Sequence, residues 1–206
     1  MKVIAFGDSW TAGHGVETCI EFKETAKPPL FIERLRAMNS WPRWLAEKFD
    51  VEFVNCGVSG YGNEYIYYDI SKAVEMGFIN KDDLVIIMFS YPYRYSADTY
   101  NVIEIYNKIE NELKNSTHFY FNAFYPTFGN EDFDVNSLPP YFINPKGSVS
   151  DYLKEYEMIN NVSVWEYESR TVWSDEKGLN EGDYHPNLFG YKLIAEYIYN
   201  TIKDKI

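Results

Sequence analysis

Apolar and polar positions along the chain fall into blocks that read alternately as strands and helices. Lys2–Phe6 is a short apolar run rich in β-formers that stops at Gly7, the pattern of a buried strand ending in a turn. Similar runs follow at Val51–Val54, at Asp83–Phe89, which is the strongest, at His118–Phe124 and at Val162–Trp165. Between them lie stretches with helical spacing. Ser40–Phe49 opens on a serine N-cap with proline in its first turn. Glu64–Met76 and a short piece near Ser150–Met158 also read as helices, as does Leu30–Met38. Tyr100–Leu113 turns Ile103, Tyr106, Ile109 and Leu113 inward, and Tyr191–Ile206 does the same with Leu193, Ile194, Tyr197, Ile198, Thr201 and Ile202. Strands alternating with helices predict an α/β chain: a three-layer α/β/α sandwich around a parallel five-stranded sheet, one domain spanning residues 1–206.

Two stretches resist this pattern. Val16–Asn39 mixes charge with Pro28-Pro29 before its helical part. Tyr125–Val149 is turn-rich, with Pro126, Gly129, Pro139-Pro140, Pro145 and Gly147. The second leaves the carboxyl end of the fourth strand and carries Tyr125, Phe128, Phe133, Tyr141 and Phe142, which makes it a candidate substrate-recognition loop.

Composition narrows the function classes. With 206 residues, 46% hydrophobic, the chain has room for a substantial core. No apolar run reaches the ~18 residues of a membrane span, and the N-terminus carries no secretory signal, so a cytoplasmic location is expected. A formal net charge of -12 repels phosphates and anionic lipid, which argues against nucleic acid and membrane as partners. Cys19 and Cys56 form neither a metal-ligand spacing nor a disulfide framework. Core packing is the default reading of the 19 tyrosines, and the rest are expected to offer flat stacking surfaces, which sugar rings use as readily as protein partners do.

The chemistry is signalled at the two ends. In open α/β sheets ligands bind beyond the carboxyl ends of the strands, and Ser9, two residues past Gly7, is delivered to that rim on an exposed loop. The plainer reading is that Asp8 and Ser9 cap the next helical turn. Near the other end, His185 stands just before the last helix, in Gly182-Asp-Tyr-His-Pro-Asn-Leu-Phe-Gly190. A serine and a histidine so placed are the two partners that nucleophilic ester hydrolysis needs. His14 lies between glycines near Ser9 and reads as solvated or as a substrate contact; His118, at the opposite end of its strand, reads as structural.

Three blocks, Gly7-Asp8-Ser9 with Thr11-Ala12-Gly13, Asn55-Cys56-Gly57-Val58-Ser59-Gly60, and Asp183-Tyr184-His185-Pro186-Asn187, together resemble the SGNH hydrolase (GDSL esterase) family across nearly the whole chain. The resemblance implies a flavodoxin-like strand order 2-1-3-4-5 and hydrolysis of an ester through an acyl-serine intermediate. It gives Ser9 the role of nucleophile, His185 that of general base and the Gly60 N–H that of an oxyanion donor, with no metal or cofactor. Two blocks depart from the family pattern. Its Gly-x-Asn-Asp after the third strand is replaced by Ser90-Tyr91-Pro92-Tyr93-Arg94. The missing asparagine donor then has to be replaced by Ser90, Tyr91, Asn63 or Arg94. The family's aspartate three residues before the histidine is Gly182 here, and Asp183 stands two before. Residues two apart in an extended loop share a side, so Asp183 is the candidate orienting acid. The alternative is a Ser9–His185 dyad with a backbone carbonyl holding the ring.

The resemblance favours an O-acetylated carbohydrate or another short-chain ester as substrate, a small molecule or glycan. The competing class is a catalytically degenerate module of the same fold that binds carbohydrate or a protein partner. Its small size resembles variants in phage genomes, where a particle-associated role fits. Oligomeric state is not legible in the sequence.

Overall fold

The computed structural model describes residues 1–14, 29–90, 102–123, 148–166 and 185–206. Four strands, β1 (Lys2–Gly7), β2 (Glu52–Gly57), β3 (Leu84–Phe89) and β4 (Thr117–Asn122), form one sheet in the order β2-β1-β3-β4. All three pairings are parallel, with Ile4 opposite both Val54 and Val85, and Ile87 opposite Tyr120.

The two-residue period of the strands sorts their side chains onto two faces. Val3, Ala5, Leu84, Ile86, Met88, Phe119 and Phe121 pack with α3 (Trp41–Phe49), α6 (Val149–Asn160) and α7 (Leu188–Ile202). Ile4, Phe6, Val85, Ile87, Phe89 and Tyr120 pack with α4 (Asn63–Glu75) and α5 (Val102–Leu113). Every residue of β3 is buried, which explains why it is the most continuous apolar run in the sequence. The three-layer α/β/α architecture and the first four strands of the expected order are therefore present.

The fifth strand differs from expectation. The Val162–Trp165 run becomes β5 (Trp165–Glu166), which pairs antiparallel with β6 (His185–Pro186) in a separate two-stranded ribbon. The ribbon is held at the start of α7, where the Val164 carbonyl accepts from the Asn187 N–H (2.9 Å) and lies so near Gly190 that a Cβ there would strike it. The apolar run thus packs against a helix end and does not extend the sheet.

Helix ends follow local chemistry. Ser148 and Asp151 form a reciprocal capping box on α6, and the Asn187 side chain accepts from the Gly190 N–H (2.9 Å) to cap α7. Ser40 holds the N-cap position of α3 but makes no capping bond. Its hydroxyl donates instead to the Ala37 carbonyl (3.0 Å) and accepts from Asn55 Nδ2 (2.8 Å). The other two helices are α1 (Ser9–Ala12) and α2 (Pro29–Asn39).

Candidate active site at the carboxyl edge of the sheet

The chain leaves β1 at Gly7 and turns at once into α1. Asp8 is its N-cap, with Oδ1 accepting from the Trp10 N–H (3.0 Å), and Ser9 is its first residue. The sequence suggested an exposed loop; Ser9 is in fact buried within a helical turn, at 4% exposure. Both readings of Asp8-Ser9 therefore hold together: the aspartate caps, and the serine sits at the strand's carboxyl end.

Close backbone approach makes this placement possible. A Cβ on Gly7 would land on the Thr11 side chain, and one on Gly57, at the end of β2, would land on the Ala12 nitrogen and the Thr11 carbonyl carbon. Asn55 completes the seat. Its Nδ2 donates to the Thr11 carbonyl (2.7 Å) while its Oδ1 accepts from the Gly57 N–H (2.9 Å). The Asn55-Cys56-Gly57 block is thus a cradle for the helix that carries Ser9.

The end of β3 is tied to the same turn. Ser90 donates its hydroxyl to Asp8 Oδ2 (2.7 Å). Asn63, the first residue of α4, clasps the Ser90 backbone, accepting from its N–H (2.8 Å) and donating to its carbonyl (3.3 Å). Gly60 lies in the loop between β2 and α4 with φ +89, a left-handed conformation that glycine adopts without strain. Of the candidate oxyanion donors, Ser90 and Asn63 are tied to the ends of β1 and β3 and Gly60 lies in the loop after β2, while Tyr91 and Arg94 lie outside the described residues.

His185 enters from the far end of the chain on β6, at 3% exposure, and β6 packs against α1. Trp10 of α1 meets Trp165 of β5 with ring centroids 5.7 Å apart, fastening the ribbon over the helix. Asp183 lies outside the described residues. Cys56, near the end of β2, is a free thiol pushed up to about 11 by burial and by the Asp69 charge, so it stays protonated and is no competing nucleophile.

His14, read from the sequence as solvated or as a substrate contact, has a ring partner which that reading did not include. His14 follows the α1 cap, and its ring stacks on that of His185 with centroids 4.6 Å apart and planes 24° from parallel. Its Nδ1 meets Ser59 Oγ (3.0 Å), and its carbonyl accepts from the Tyr191 hydroxyl (2.8 Å) of α7. Proximity to Ser9 in the sequence was the available signal, but stacking on a residue 171 positions away has no signature in spacing. His118 stands at the opposite end of the sheet, its Nε2 on Glu110 Oε1 (2.8 Å) and its Nδ1 on the Ser116 carbonyl (2.8 Å). Among the described residues no cluster of three His, Cys, Asp or Glu is arranged to hold a metal ion.

No family model matches the sequence, and no curated protein matches it. Solved structures do resemble it. A carbohydrate esterase family 2 enzyme with a carbohydrate binding domain, from Corynascus thermopiles (Myceliophthora fergusii), superposes with a TM-score of 0.52 at 13% identity, over 98% of this chain and 65% of that one. This chain therefore spans about two thirds of that protein. A lipase/acylhydrolase from Enterococcus faecalis gives a TM-score of 0.48 at 19% identity over 99% and 96% of the two chains. A member of the lipolytic protein G-D-S-L family from Veillonella parvula gives 0.45 at 18% over 100% of both. At such identities what is shared is the fold, and the chain has the α/β fold of that carbohydrate esterase family 2 enzyme.

Proposed function

We propose that the protein is a serine ester hydrolase that works through an acyl-serine intermediate. The observation that carries this reading is the packing of α1, which begins at Ser9, against the ribbon strand that bears His185, at the carboxyl edge of the sheet. Ser9 Oγ attacks the ester carbonyl carbon as its proton passes to the His185 imidazole. The oxyanion is received by the Gly60 N–H and by a second donor from Ser90, Asn63, Tyr91 or Arg94. Collapse expels the alcohol, which takes the proton from His185. Water then attacks the acyl-serine, giving its proton to His185; collapse releases the acid, and the departing Ser9 oxygen takes that proton back from His185. Asp183 orients the imidazole and balances its charge.

The substrate is an O-acetylated carbohydrate or another short-chain ester. Support comes from the aromatic rim: the rings of Tyr61 and Tyr65 stand 5.3 Å apart on the segment that follows Gly60, and Tyr65 is half exposed. A second reading, a non-catalytic module that binds carbohydrate or a protein partner, is favoured by one observation. The Ser90 hydroxyl already donates its one proton to Asp8 Oδ2, so it must exchange partners to serve an oxyanion.

A fluorophosphonate probe separates the two readings. It labels Ser9 in an active hydrolase and leaves both the module and Ser9→Ala unmarked. Nitrophenyl acetate, butyrate and longer esters, followed by acetylated glycans, then rank the substrates. Within the hydrolase reading, Asp183→Asn lowers kcat by about 10²–10⁴ if the carboxylate orients His185, and by less than about tenfold if a backbone carbonyl does.

A further inference from the structure

We infer that His14 is a positioning residue for His185: its ring is the flat wall that fixes the plane of the His185 imidazole. The inference rests on the hydrolase reading, in which His185 moves the proton. His14 itself is firmly placed. Gly13 turns the chain in a left-handed conformation (φ +86), and a Cβ there would collide with the Arg36 carbonyl, so the turn is packed tightly against α2. The His14 N–H then donates to the Ser9 carbonyl (3.0 Å), tying its backbone to the residue that bears the nucleophile. Its own carbonyl is held by the Tyr191 hydroxyl, three helical positions past the start of α7. The ring is gripped at both nitrogens, by Ser59 Oγ at Nδ1 (3.0 Å) and by Arg36 Nη2 at Nε2 (3.5 Å).

Those partners hold the ring by its edge, in its own plane, and leave a face to the His185 ring. Face-to-face contact fixes a ring's plane and leaves in-plane bonds to be made by its edge. General base catalysis needs that plane, because a nitrogen must point along the line to the serine oxygen. His14 thus joins α1, α2, the loop after β2 and α7 to the base through the stacked rings.

Two substitutions and one spectrum test this. His14→Ala removes the wall and lowers kcat on nitrophenyl acetate by about tenfold or more, with KM changed less than about threefold, since a misaligned base costs chemistry more than binding. His14→Phe keeps a flat ring and returns kcat to within about threefold of the wild type. In parallel, the carbon-bound ring protons of His185 carry a ring-current shift from His14 in the wild type. The shift disappears in His14→Ala and persists in His14→Phe, whether or not the protein turns over ester. Wild-type kcat in His14→Ala overturns the inference, and so does a His14→Phe variant no better than His14→Ala. A His185 spectrum indifferent to both substitutions overturns it even if the alanine variant folds poorly. A wild-type protein inert to ester and fluorophosphonate fails the hydrolase reading first, and the positioning role falls with it while the ring-current shift stays.

Discussion

At the amino end of the sheet His118 is bound through both ring nitrogens, to the Glu110 carboxylate and the Ser116 carbonyl, each at 2.8 Å. At the carboxyl end His14 and His185 meet through their faces, 4.6 Å between centroids. The same residue type thus serves two purposes at opposite ends of the same four strands. A ring whose two nitrogens both face protein oxygens is tied by its edge into the fold, and turning it toward a substrate would leave the carboxylate and the carbonyl without their partner. Around His118 the bonding closes further: the Tyr120 hydroxyl donates to the same Glu110 oxygen (2.7 Å), with its ring buried beside Tyr106 and Phe89. Burial and the Glu110 charge together push the Tyr120 hydroxyl far above the usual phenol range. The amino end is built to stay as it is, whereas the carboxyl end spends its polar groups on placing backbone: Asp8, Ser90, Asn63 and Asn55 all fix the turn that carries Ser9.

The sharpest break of this contrast is a pair of histidine substitutions. His185→Ala lowers kcat on a short-chain ester by about 10³ or more, and adding Ser9→Ala makes it no worse, because members of one catalytic unit are not additive. His118→Ala changes kcat by less than about threefold. Steady-state kinetics on folded protein decide it, and a large kinetic defect in His118→Ala would erase the division between the two ends.

Next in size is Gly57→Ala. The added methyl meets the backbone of Thr11 and Ala12, not a side chain able to swing aside, so α1 must shift. A displacement of that kind costs about 10² in kcat, along with about 1–3 kcal/mol of stability from overpacking. Unchanged kcat in Gly57→Ala would show that Ser9 does not depend on the β2 cradle.

Much of this was readable from residues alone. Strands buried on both faces write themselves as apolar runs, so β1, β3 and β4 and the helices flanking them appear in the sequence within a few positions. The serine, the final histidine and the asparagine-glycine block are legible because each sits at a strand end or helix start, where local chemistry and fold coincide. What the sequence could not convey is contact between distant edges. Val162–Trp165 has strand composition, yet its partner is chosen by the helix start at Asn187–Gly190, not by its own residues. His14 looks like a loop residue until the ribbon delivers His185 onto its face. Ser40 has the chemistry of a cap, but Asn55, 15 residues on, claims its hydroxyl.

At the amino end, stability replaces rate as the quantity to measure. Glu110→Ala leaves the Tyr120 hydroxyl and His118 Nε2 without the oxygen they share, a loss of about 2–3 kcal/mol. Denaturant midpoints read it, at constant m-value, with kcat unchanged.

The smallest expected effect sharpens the contrast through pH. Asp83, just before β3, is buried, which pushes its carboxyl up. Hydrogen bonds from the Asn80 N–H (3.0 Å), Asn80 Nδ2 (3.1 Å) and the Lys2 N–H (3.1 Å) outweigh that burial, with the Lys2 ammonium 3.7 Å away, and hold it below the usual carboxylate range. A carboxylate depressed in the folded state contributes stability above its unfolded-state pKa, about 3.9, and loses it as pH falls through the folded value. Asp83→Asn therefore costs about 1–2 kcal/mol at pH 7, and the gap to the wild type narrows progressively below about pH 4. Urea melts of both proteins across that range give the sign directly. A gap that stays constant or widens on acidification would mean that Asp83 is held by shape and not by charge, and that the amino end owes its rigidity to packing alone.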